Sequence, residues 1–133
     1  MIETDVLSLT AEKVSRFLGA KMELHEGFWQ LVNKRTIKTH DGSNLCVSWS
    51  LDLSVSFRET GDGHEAMNKA EVFLLPEELP IFTDALLQHP ILFPSSYSQQ
   101  LSTERGMYCI RLTSQEPPED FAKRLSEAVY ALS

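Results

Sequence analysis

The sequence predicts an α+β domain, an antiparallel sheet built on a long hairpin with about three helices packed mainly on one face. Three observations predict it. Residues 45–57 alternate without a break: Leu45, Val47, Trp49, Leu51, Leu53, Val55 and Phe57 are apolar, and everything between them is small or polar. Successive side chains of a strand point to opposite faces, so this run is one strand with a buried and a polar side, as in a sheet open on one face. Leu79, Phe82 and Leu86, and later Phe121, Leu125, Ala128, Val129 and Leu132, recur at helical spacing and give two amphipathic helices. Finally, the second half of the chain reads strand, helix, strand, strand, helix, an order suited to helices laid on an antiparallel sheet. At 133 residues the chain forms a single domain, 1–133.

The elements follow in order. Thr10 is read as the cap of a first helix through Leu18, with Val14, Phe17 and Leu18 as its apolar stripe and Gly19 as its stop. Residues 21–25 are a short strand and 28–39 a long one. His40-Asp41-Gly42-Ser43-Asn44 is a turn signal before the alternating strand. Gly61-Asp62-Gly63 is the next turn, followed by a strand at 69–75. Pro76 opens the second helix, with Glu77 and Glu78 in its first turn, where the helix dipole favours acids; His89-Pro90 ends it. Residues 91–101 and 106–113 form a second hairpin joined by the polar segment 102–105. Pro117-Pro118 starts the last helix.

The register of the long hairpin can be argued from its faces. A two-residue Asp-Gly loop would set Lys38 opposite Leu45 and mix apolar with polar positions. A three-residue loop, Asp41-Gly42-Ser43, pairs Ile37 with Val47, Leu31 with Leu53 and Trp29 with Val55, making one apolar face. Trp29 and Trp49 then point inward. The opposite face carries Thr36 by Ser48, Lys34 by Ser50, and Asp52.

Composition narrows the function. A net charge of −7 disfavours nucleic acid, because binding to phosphate needs a cationic surface. No apolar stretch approaches the roughly 18 residues of a membrane span, so no membrane role is expected. The opening Met1-Ile-Glu-Thr-Asp5 lacks a basic segment followed by an apolar one, so a cytoplasmic location is expected. Cys46 and Cys109 are too few for a zinc site and are expected to be reduced, partly buried thiols; a disulfide linking their two strands is the alternative.

Catalytic patterns are sparse. His25, His40, His64 and His89 show no ligand spacing and are read as solvated surface residues. The row Ser48, Ser50, Asp52 and Ser54 has no histidine on its face, and a Lys34–Ser50 pair would need a desolvated lysine to act as a base. That face is read as hydrated, or as a groove or subunit contact, with Ser48, Ser50 and Asp52 as candidate ligand contacts.

From Gly19 onward the chain resembles the LppY/LpqO-like family, a bacterial group of unknown function. The likeness runs through His40-Asp41-Gly42, Ser48-Trp49, Ala70-Glu-Val-Phe-Leu-Leu-Pro-Glu-Glu78 and the helix after it, and the final hairpin, to the Pro-rich start of the last helix. That family usually carries a His-Asn-His string on the strand after the second helix and often a third histidine on the next strand, a set suited to a transition metal. Here the string aligns with Tyr97-Ser98-Gln99 and the third position with Arg111. The resemblance therefore implies neither metal nor other cofactor, and a cleft in which Tyr97, Gln99 and Arg111 hold a polar or anionic ligand.

The leading expectation is a non-enzymatic domain that binds a small polar or anionic molecule or a protein partner, including a second copy of itself. The alternative is an enzyme of unassigned reaction, with Arg111 holding an anionic group through its planar fork and Tyr97 donating a proton.

Overall fold

Residues 46–57 of the alternating run lie within β3 (Cys46–Glu59), the third strand of a six-stranded antiparallel sheet. The structure is a computed structural model. It describes the backbone of residues 2–40, 46–59, 65–104 and 106–132, and the side chains of 10–35, 51–58, 65–104 and 106–132. The element order is α1 (Ile2–Leu18), β1 (Glu23–His25), β2 (Phe28–His40), β3, β4 (Ala66–Leu74), a 3₁₀ turn (Pro76–Glu78), α2 (Leu79–Leu87), β5 (Ser98–Glu104), β6 (Met107–Glu116) and α3 (Pro118–Tyr130). In space the strands run β1-β2-β3-β4-β6-β5, each antiparallel to its neighbour.

Strand parity decides which residues meet the helices. Leu31, Leu53, Val55, Phe57, Ala70, Val72, Leu74, Ile110 and Leu112 share one face. They form a single buried cluster with Val14 and Leu18 of α1, Phe82 and Leu86 of α2, and Phe121, Leu125 and Ala128 of α3. Burying a large aliphatic or aromatic side chain stabilises by about 1.5–3 kcal/mol, so this face drives folding. Helix α3 packs against both α1 and α2. The other face is mostly polar: Lys34, Asp52 and Arg111 are exposed and Glu71 is half-buried, with Val32 and Met67 as exposed apolar residues among them.

Several expectations are corrected. Helix α1 begins at Ile2, with Thr10 inside it and not at its cap. No glycine or proline precedes Thr10 in the chain, and an interior threonine costs a helix only a few tenths of a kcal/mol. Gly19 does follow the last turn, at φ +69°.

The β2–β3 register is shifted by two residues from the one expected: Trp29 faces Phe57, Leu31 faces Val55, Ile37 faces Trp49, and Lys34 faces Asp52. A two-residue slip leaves every side chain on its own face, so the burial pattern cannot distinguish the two registers. The expected Asp41-Gly42-Ser43 loop and the turn at 61–63 lie outside the described residues.

In the second hairpin, 91–97 is not strand, and 102–104, expected as loop, belongs to β5. β5 is the last strand of the sheet, and all its residues except Ser102 are exposed, which is why its polar sequence resembles a loop. It pairs with β6 as far as Glu104 opposite Met107, next to Gly106 at φ +80°. In that left-handed region a side chain would be strained.

Candidate functional site

At one end of the helical layer a groove of about 740 Å³ opens between the C-terminal turn of α1, the segment joining β4 to α2, and the C-terminal part of α3. Its floor is set by a charge on the inward face of a strand. Arg35 shares parity with Leu31 on β2 and would be an unpaired cation there without an acid partner. Glu78 supplies one from the 3₁₀ turn. Arg35 Nη1 donates to Glu78 Oε2 at 2.9 Å and Nη2 to Oε1 at 3.0 Å, a two-bond fork, and Nη2 also donates to the Phe73 carbonyl at 2.9 Å. Glu78 Oε1 accepts the Leu75 amide at 2.9 Å. Burial pushes the Glu78 carboxyl up, but the Arg35 hydrogen bonds, the Leu75 amide and the Arg35 charge outweigh it and hold it below 4.5.

The rim is apolar where it meets water. Phe17 is 40% exposed, Ile81 49% and Tyr130 79%, with Val129 and Leu132 beside them. Arg16 and Glu77 add one charge of each sign. An apolar wall over a fixed polar floor suits a molecule with a hydrophobic body and a hydrogen-bonding head.

A second polar cluster is sealed inside the core. Arg124 of α3 is 1% exposed and Glu116, ending β6, is 4% exposed. Arg124 Nη1 donates to Glu116 Oε1 at 3.1 Å and Nη2 to Oε2 at 2.5 Å, while Ser114 Oγ donates to Oε2 at 2.5 Å. Asn68 Nδ2 donates to the Glu116 carbonyl at 2.9 Å. The Arg124 guanidinium lies 4.7 Å from the Phe93 ring centroid, and the Phe93 ring lies 4.0 Å from that of Tyr97. This cluster ties the segment before β5 to α3. His89 strengthens the tie: its Nε2 contacts Glu127 and its Nδ1 accepts the Ile91 amide at 3.1 Å. With a side chain only 6% exposed, His89 is not the solvated residue expected. His25 is exposed and stacks on Phe28. The His40 side chain and the whole of His64 lie outside the described residues.

The expected cleft of Tyr97, Gln99 and Arg111 is divided by the sheet. Tyr97 packs against the core and donates its hydroxyl to Gln99 Oε1 at 2.8 Å. Gln99 is in register with the inward residue Leu112. Burial, with a smaller opposing effect of Arg124 and a further push from Glu116, raises the Tyr97 phenol to about 12. Arg111 lies on the outer face, in register with Glu71 and Gln100, and its Nε donates to Glu71 Oε1 at 3.3 Å. It borders a separate hollow of about 410 Å³ with Gln100, Leu101 and Ser102. The alternation of strand parity puts neighbours such as Leu112 and Arg111 on opposite faces, so the three side chains do not converge.

Asp52 is exposed on that outer face opposite Lys34. Ser50 lies in register with Thr36 and Ser48 with Lys38, so the expected Lys34–Ser50 pairing is not formed; the side chains of Ser48 and Ser50 lie outside those described. Cys109 is a buried free thiol whose pKa burial raises, while the Cys46 side chain lies outside the described residues. Among the described residues, no three His, Cys, Asp or Glu side chains are grouped as a metal would need, and no helix is long and apolar enough to cross a membrane.

Sequence reasoning missed Arg35, Glu78, Glu116 and Arg124. The signals were present. Arg35 has the parity of Leu31, and Arg124 stands three residues after Phe121, on the buried face of α3.

Fold and groove together define an α+β domain with a covered and an open sheet face and an apolar groove over an Arg–Glu floor. Residues 12–131 match the DUF1529 family model, described as Domain of Unknown Function (DUF1259), and the chain belongs to that family. No curated protein and no solved structure matches it.

Proposed function

We propose that this chain is a non-enzymatic binding domain whose ligand is a small amphipathic molecule held in the groove above Arg35 and Glu78. One observation carries the reading: Phe17, Ile81 and Tyr130 stay substantially exposed around a groove whose floor is a largely buried ion pair. The volume of about 740 Å³ falls within the range of small-molecule sites, about 300–1,000 Å³. Because Glu78 already neutralises Arg35, the floor offers hydrogen bonds more than net charge, and Arg16 at the rim is the cation available to an anionic head. We further assign the chain to an LppY/LpqO-like branch of its family in which Tyr97, Gln99 and Arg111 stand where relatives carry histidine-rich positions. A bacterial, cytoplasmic setting goes with that assignment.

The test is a thermal-shift panel of medium-chain alcohols, amides and carboxylates on the wild type and on Ile81→Glu. A ligand that binds only the folded state raises the melting temperature by mass action. The expected result is a concentration-dependent rise with at least one class, lost in Ile81→Glu. No rise with any class, or an equal rise in the variant, would overturn the groove as the site.

A further inference from the structure

The sheet has an open edge on each side. Beyond β2 lies only β1, Glu23–His25, which pairs with Phe28–Gln30 and, among the described residues, leaves the rest of β2 without a strand on that side. The edge at β5 runs for seven residues, Ser98–Glu104, with Glu104 at its end as its single charged side chain. It has no proline and no lysine. Its pairing with β6 proceeds residue by residue from Ser98–Thr113 to Glu104–Met107 without a bulge. A long, regular, uncovered edge presents a row of unpaired N–H and C=O groups that another strand can complete. At its midpoint stands an apolar side chain, Leu101, 51% exposed.

We propose that β5 pairs antiparallel with β5 of a second copy of this chain, across a two-fold axis at Leu101, joining the two sheets into one. The sequence of the strand is self-complementary in that register. Leu101 meets its own copy, Gln100 faces Ser102, Gln99 faces Thr103, and Ser98 faces Glu104. The pairing keeps each side chain on its own face, which a one-residue slip would not. The two Leu101 side chains cover one another, and the two Glu104 carboxylates are placed at opposite ends of the joint, each beside a neutral serine. The contact is isologous, as a closed dimer requires. A joint of this length is smaller than the standard interface of about 1,600 Å², so the dimer is a weak one that forms and dissociates with concentration. This inference is independent of the groove, which β5 does not line.

The experiment is sedimentation velocity on the full chain from a few to several hundred micromolar, for the wild type, Leu101→Lys and Leu24→Lys. Leu24 is the exposed apolar residue of the short β1 edge and serves as the control. The wild type and Leu24→Lys are expected to shift from the 15.1 kDa monomer toward twice that mass. Leu101→Lys, which opposes two ammonium groups at the axis, is expected to remain monomeric with an unchanged melting curve. Hydrogen exchange on the wild type provides a second reading that needs no variant: amides of Ser98–Glu104 should gain protection as concentration rises. A wild type that stays monomeric throughout, or a dimer that survives Leu101→Lys, would overturn the proposal. So would β5 amides that exchange independently of concentration, or that gain protection only when an extended peptide of another sequence is added.

Discussion

Arg35 of β2 and Glu78 of the 3₁₀ turn, 43 positions apart in the chain, grip one another through two hydrogen bonds of 2.9 and 3.0 Å. The pair pins the segment between β4 and α2 to the second strand of the sheet. It thereby fixes both the floor of the groove and the position of Ile81 on its rim.

Removing one partner of that pair should cost stability and alter its pH dependence. Arg35→Met leaves the Glu78 carboxylate in a site only 11% exposed, with the Leu75 amide as its remaining donor. Stripping one partner from a fully buried pair costs about 3–5 kcal/mol, and this partly solvated one should cost about 2–3 kcal/mol in urea unfolding. Because the folded chain holds Glu78 below 4.5, the unfolded chain takes up the proton first. The contribution is present above the unfolded value and is lost as pH falls through the folded one. Melting temperatures measured downward from about pH 5 should therefore fall less steeply in Glu78→Gln than in the wild type. Equal slopes would contradict the assignment.

Arg124 and Glu116 form a more deeply buried pair, and its geometry calls for a guanidinium. Arg124→Met strands a carboxylate in the core and should lower unfolding free energy by about 3–5 kcal/mol. Arg124→Lys should recover little, because an ammonium cannot make the two-bond fork that Arg124 makes beside the Phe93 ring. Full recovery by lysine would mean that charge alone matters there.

Tyr97 gives an alkaline signature. Its phenol, raised to about 12, stays protonated in the fold after the unfolded chain has begun to lose the proton near 10. Stability from this group is present below the unfolded value and declines as pH rises toward the folded one. Tyr97→Phe should remove the tyrosinate absorbance step near pH 12 and flatten the alkaline decline in melting temperature. A step that persists in the variant would assign the titration to another group.

Much of the architecture was legible from periodicity. The β3 alternation, the helical stripes of α2 and α3 and the stop at Gly19 follow from local rules that packing did not overrule. The register of β2 on β3 was not legible, since a two-residue slip preserves both faces. β5 was missed in part because an edge strand with an exposed polar sequence has no apolar periodicity to detect. The site was the least legible part. Tyr97 and Arg111 were brought together by likeness to a family pattern, whereas strand parity at Leu112 and Arg111 divides them. Glu78 was explained away by the helix dipole, although Arg35 at an inward position required an acid partner.

The groove, and not the outer face, is proposed to hold the ligand, and a two-dimensional ¹H–¹⁵N titration with decanoate as the probe tells the two apart. Binding in the groove predicts saturable shifts concentrated at the amides of Phe17, Gly19, Glu78, Ile81 and Tyr130. Shifts concentrated instead at Gln100, Ser102 and Arg111, or scattered without saturation, would contradict it.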